Sequence, residues 1–170
     1  FNLAETYRTP VIVLVDEIIA HMREQIQIPP SEEIAVVNRK KPKPSDKMFF
    51  MKEEIAPMPS VGEGFNVAVT GSTHDETGRR FTADPTVHKR LVATLIGKIV
   101  NSTDKIVDYE ALNLENCDVG VVSFGCTSRA VYEAVELARE KGAKVGFIRL
   151  KTVWPFPEKA VRQVAETAEK

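Results

Sequence analysis

Cysteine is scarce in this sequence: Cys117 and Cys126 are the two in 170 residues, nine positions apart and outside any CxxC pair. That spacing excludes a disulfide scaffold and a thiolate zinc site, and it fits a reducing cytoplasm. Long apolar runs are missing too. The longest, residues 10–15, has the length of a strand and falls far short of the roughly 18 to 20 residues that cross a membrane. Charge of one sign is also absent, since 23 Lys and Arg stand against 24 Asp and Glu for a net charge of −1. Nonspecific nucleic-acid binding needs a basic stripe to displace phosphate counterions, so that function is set aside. The sequence opens on Phe1, without the charged and apolar regions of a signal peptide. Phe1, Leu3, Ala4 and Tyr7 instead pattern as the last turns of an amphipathic helix, which predicts a piece of a longer chain.

What is present is ordinary globular composition, 43% hydrophobic and 28% charged, enough for one fair-sized core or two small ones. After the opening helix, Arg8-Thr9-Pro10 breaks the pattern and the β-branched run 11–15 predicts a strand buried on both faces, as in a parallel sheet. Six of the ten prolines then fall within residues 27–60, together with the basic run Arg39-Lys40-Lys41. Proline at that density predicts an extended linker, with the basic run as its solvated face. Residues 66–70 read as a short strand entering Gly71 and a polar loop. Asp84-Pro85 supplies an N-cap and a first helical residue, and Val87, Leu91, Val92, Leu95, Ile96 and Ile99 continue as one apolar stripe over about four turns.

From Asp118 the pattern is regular. Residues 119–124 predict a strand, Gly125-Cys126-Thr127-Ser128 a turn, and the next stretch a helix to about Lys141, stopped at Gly142. A strand over 144–150 follows, then Trp154-Pro155-Phe156-Pro157 and a final helix. This is a βαβ unit with apolar faces on both helices, and the fold class it predicts is α/β, a three-layer parallel sheet covered on both sides.

Two places could carry chemistry. The turn Gly125, Cys126, Thr127, Ser128 and Arg129 joins a strand's carboxyl end to a helix start, where free amides and the helix dipole favour an anion. It holds neither GxGxxG nor GxxxxGK[ST], so capping by Thr127 or Ser128 stands beside the reading of Gly125, Thr127, Ser128 and Arg129 as a small-anion or ligand site. The loop His74-Asp75-Glu76, with Arg79-Arg80 after it, matches no metal-ligand spacing, and no metal site is expected. His74, Asp75 and Arg79 are expected to fix that loop or to form a domain or subunit contact. Trp154 and Phe156 are read as apolar anchors of a docking segment. Spacing assembles no catalytic triad or paired acids.

Four stretches, in this order, resemble the α subunit of 2-oxoacid:ferredoxin oxidoreductases. They are Ala4-Glu5-Thr6-Tyr7-Arg8-Thr9-Pro10-Val11-Ile12-Val13-Leu14 with Asp16; Val69-Thr70-Gly71 with His74-Asp75-Glu76 and Gly78; Phe124-Gly125-Cys126-Thr127-Ser128-Arg129-Ala130; and Arg149-Leu150-Lys151-Thr152-Val153-Trp154-Pro155-Phe156-Pro157. The His74-Asp75-Glu76 loop is most similar to the 2-oxoglutarate type, with the branched-chain 2-oxoacid type next. The resemblance implies residues 1–24 as the end of a thiamine-diphosphate pyrimidine-binding domain, 25–62 as a proline-rich linker, and 63–170 as a transketolase C-terminal-like domain.

It further implies oxidative decarboxylation of a 2-oxoacid with coenzyme A to acyl-CoA, CO2 and reduced ferredoxin. Thiamine diphosphate and Mg would belong to the whole complex. A β subunit would supply the diphosphate-binding domain, γ and δ subunits are further candidates, and iron–sulfur clusters would sit on other subunits, since no cysteine pattern here could hold one. No catalytic residue is assigned to this stretch, because the family's activating glutamate lies upstream of it; the chain by itself is expected to be inactive and to carry no cofactor. Two other readings stand open: a free-standing small-anion or nucleotide-binding α/β module, and a purely structural interaction domain.

Overall fold

The computed structural model describes residues 1–51 and 55–168. They fall into two compact units, one of Phe1–Ile12 with Gln27–Ser102, the other of Val13–Ile26 with Thr103–Lys170.

In the first unit, helix α1 (Asn2–Tyr7) ends at Arg8 in the left-handed region, φ 47°. That turn sends the Arg8 guanidinium back across residues 49–58, where it donates to Phe49 O at 2.6 Å and Ala56 O at 2.9 Å. It also lies 5.5 Å from the centre of the Phe50 ring, a cation–π arrangement. Tyr7, Phe49 and Ala56 are buried beneath these bonds. The proline-rich stretch is irregular, as its composition demands, but it is not loose. Asn2 donates to Ala35 O at 2.8 Å and accepts from Val37 N, and Glu5 holds Arg39 through two bonds of 2.6 Å. The chain therefore runs along α1, exchanging side-chain for backbone hydrogen bonds where proline removes donors.

Helix α3 (Pro85–Val100) starts where Asp84-Pro85 predicts: Asp84 Oδ1 accepts from Thr86 N at 2.8 Å and Val87 N at 3.2 Å. Near its end Lys98 donates to Arg8 O at 2.6 Å, and burial, with Arg8 nearby, holds its ammonium below the usual lysine range.

Two predicted strands are not formed. Residues 11–15 are extended, but Ile12 and Val13 are each 80% exposed and Leu14 is 72% exposed. A run buried on both faces needs a neighbour on each side, and no strand among the described residues pairs with this one. Residues 66–70 likewise make no ladder.

The second unit contains helix α2 (Glu17–His21), helix α4 (Thr103–Ile106) and a three-stranded sheet. Strands β1 (Tyr109–Leu112), β2 (Val119–Phe124) and β3 (Val145–Leu150) lie in the order β1-β3-β2. The β2 and β3 pair is parallel, with Val119 opposite Val145, and β1 is an antiparallel edge, with Tyr109 opposite Leu150. The fold is thus mixed α/β, a parallel pair carrying one antiparallel strand that the sequence pattern does not show.

Helices α5 (Thr127–Glu140) and α6 (Glu158–Ala168) cover opposite faces. Gly120 meets Val164 of α6, while Ser123 bonds Ser128 of α5 at 2.9 Å, and residues three apart on a strand point to opposite sides. The core under α6 is Leu114, Ile148, Leu150, Ala160 and Val164. A Cβ on Gly120 would overlap Val164 Cγ1, so the glycine lets α6 sit down on β2. Gly142 takes φ 89° after the end of α5, as a helix stop does.

Candidate functional site

The turn after β2 forms where the pattern places it. Gly125 has φ +64°, Ser128 N bonds Gly125 O at 3.2 Å, and Arg129 N bonds Cys126 O at 3.0 Å. Cys126 is the N-cap of α5, and no side chain of the turn caps the helix. Ser128 is buried and turned back to Ser123, so it does not do the capping considered for it. Thr127 is the first residue of the helix.

The group that meets the start of α5 comes from 110 residues away. Asp16 Oδ2 accepts from Cys126 N at 2.6 Å. Its carboxylate occupies the space a side chain at 125 would need, since a Cβ there would lie 2.5 Å from Asp16 Oδ2. One turn along, Arg129 pairs with Glu24 at 3.2 Å and 3.3 Å. The turn therefore attracts anions as a helix N-terminus should, and in this conformation the anions are two carboxylates of the chain itself. Asp16 and Glu24 are the residues the sequence reasoning missed; nothing local to them marks a partner at position 126.

The loop of residues 73–81 is built by Asp75. Its Oδ1 accepts from Thr77 N at 2.9 Å, Thr77 Oγ1 at 2.6 Å and Arg79 N at 2.9 Å, an Asx arrangement that folds the chain back. The Thr77 hydroxyl first, then the amides of Arg79 and Thr77 and the charge of Arg79, hold the Asp75 carboxyl below the usual carboxylate range. Asp75 N bonds Arg79 O, Phe81 N bonds Thr73 O, and His74 and Arg80 form an antiparallel bridge. Gly78 closes the turn at φ +87°, with Ala68 O where a Cβ would go.

His74 is buried against Phe50, ring centres 4.6 Å apart and nearly perpendicular, with Nδ1 2.8 Å from Ser72 O. The two nitrogens of His74 thus face inward, and the carboxylates of Asp75 and Glu76 face elsewhere, Glu76 pairing with Arg90 at 3.4 Å. His88 bonds Thr73 Oγ1 at 2.9 Å. Arg79 lies over the Phe81 ring at 5.8 Å. His74, Asp75 and Arg79 are brought together in one loop that they stabilise. Among the described residues no group of three or more His, Cys, Asp or Glu could hold a metal ion.

In the Trp154 segment the prolines and the aromatics differ in burial. Pro155 and Pro157 are buried, while Trp154 is 66% and Phe156 51% exposed.

Comparison with known proteins follows the whole length of the chain. Residues 1–94 match the model of the pyruvate flavodoxin/ferredoxin oxidoreductase, thiamine diphosphate-binding family, and residues 117–170 that of pyruvate:ferredoxin oxidoreductase core domain II. A 2-oxoglutarate synthase subunit KorA from Methanothermobacter marburgensis is 45% identical over 174 residues, covering 100% of this chain and 46% of that protein. A ketoisovalerate oxidoreductase subunit VorB from the same organism is 30% identical over 166 residues, covering 98% of this chain and 40% of that protein. Among solved structures, the 2-oxoglutarate:ferredoxin oxidoreductase from Magnetococcus marinus, with 2-oxoglutarate, coenzyme A and succinyl-CoA bound, matches with a TM-score of 0.84 at 30% identity. It covers 98% of this chain and 30% of the other. The chain spans about half the length of the curated relatives it matches.

Proposed function

The chain belongs to the pyruvate flavodoxin/ferredoxin oxidoreductase family, and from that premise we propose that it is part of the α subunit of a 2-oxoglutarate:ferredoxin oxidoreductase. The observation that carries the reading is the 45% identity to a 2-oxoglutarate synthase subunit over 100% of this chain. The choice of 2-oxoglutarate is supported by the identity of 45% to one 2-oxoglutarate synthase subunit, against 30% to a ketoisovalerate subunit. The reaction joins a 2-oxoacid and coenzyme A to acyl-CoA and CO2, and passes the electrons to ferredoxin.

Thiamine diphosphate supplies the carbanion chemistry of such enzymes. By this reading the diphosphate and its Mg ion belong to the partner subunit, and the described residues hold no group of three or more His, Cys, Asp or Glu that could hold a metal ion. No step is assigned to the cofactor on this chain. The role of this chain is structural or ligand-positioning rather than catalytic: it has a sheet sandwiched by α5 and α6, a loop fixed by Asp75, and exposed Trp154 and Phe156 as a domain or subunit contact. We assign residues 1–24 to the end of a pyrimidine-binding domain and 63–170 to a transketolase C-terminal-like domain, joined by 25–62. Other subunits, a diphosphate-binding one first, complete the enzyme, and Mg, iron–sulfur clusters and a cytoplasmic location go with that assembly. Among the described residues no helix is long and apolar enough to cross a membrane.

Gly125, Thr127, Ser128 and Arg129 remain the candidate anion-binding turn. An anionic ligand there would take the Cys126 amide and the Arg129 guanidinium, the two groups that Asp16 and Glu24 now hold. The test is to purify the full-length subunit with its partner and follow ferredoxin reduction with 2-oxoglutarate and coenzyme A. Reduction dependent on both is expected. Reduction with neither, in an assembled and cofactor-loaded complex, would overturn the proposal.

A further inference from the structure

We draw no further inference here: the strongest candidate, the buried Nε2 of His74 in the loop of residues 73–81, has no hydrogen-bond partner among the described residues, but its ring is packed against Phe50 and nothing in the structure shows what donor would reach it.

Discussion

Replacing Gly120 by alanine tests the seating of α6 on the sheet. The new Cβ would overlap Val164 Cγ1 while lying 3.4 Å from Val164 Cβ, an ordinary contact. Val164 is 4% exposed and belongs to the core cluster; as a β-branched residue in a helix it has one favoured rotamer and cannot swing aside cheaply. Overpacking of this kind costs about 2 kcal/mol. Alanine recovers about 0.5 kcal/mol through the smaller entropy of the unfolded chain. The net loss of about 1.5 kcal/mol lowers Tm by about 3–6 °C in a chain of this size. Val164→Ala alone deletes two buried methyl groups and costs about 2 kcal/mol. The double variant removes the clash, and its added methyl partly refills the space, so it should be no less stable than Val164→Ala. That is a coupling of about 1.5 kcal/mol, read by thermal unfolding followed by circular dichroism. If the two losses simply add, to about 3.5 kcal/mol, Gly120 does not face Val164 and the packing of α6 described above is wrong.

Other expectations follow from the first unit. Asp84→Ala removes the acceptor for two orphan amides of α3 and should cost about 1 kcal/mol in thermal stability; no loss would show the cap to be solvated. Asp75 has a folded pKa below its unfolded value, so its contribution is full above about pH 4 and is lost as pH falls through the folded pKa. The amide shifts of Thr77 and Arg79 should therefore move only in acid below that point, and should stay flat in Asp75→Asn; movement near neutrality would refute the assignment. Gly78→Ala, at φ +87° and against the carbonyl of Ala68, should destabilise the loop by about 1–3 kcal/mol, measured as faster amide exchange at Asp75 and Phe81.

What could be read from the sequence was what local chemistry decides. Asp84-Pro85 announces α3, and the turn at Gly125 with the apolar stripes of α5 and α6 announces the βαβ unit, because caps, turns and helical periodicity act within a few residues. Strands depend on neighbours. The run 11–15 has four β-branched residues in five and β3 only two in six, yet β3 has two partner strands and Ile148 in it is fully buried, while Ile12 and Val13 have no partner strand among the described residues and are exposed. Strand β1, Tyr-Glu-Ala-Leu, carries no alternation that would mark it and exists because β3 offers an edge. In the candidate site, the loop fixed by Asp75 was legible because its bonds span two to four residues. The Asp16 contact at Cys126 spans 110, and the order of residues holds no trace of it.

The proposed membership in an enzyme of the 2-oxoglutarate type is tested by a ratio of specificity constants. On the assembled, cofactor-loaded enzyme, kcat/KM for coenzyme A-dependent ferredoxin reduction is measured with 2-oxoglutarate and with the branched-chain acid 2-oxoisovalerate. A site built to hydrogen-bond the second carboxylate leaves buried donors unpaired when that group is missing, so 2-oxoglutarate should be preferred by about a hundredfold or more. Equal or reversed preference would overturn the proposed function.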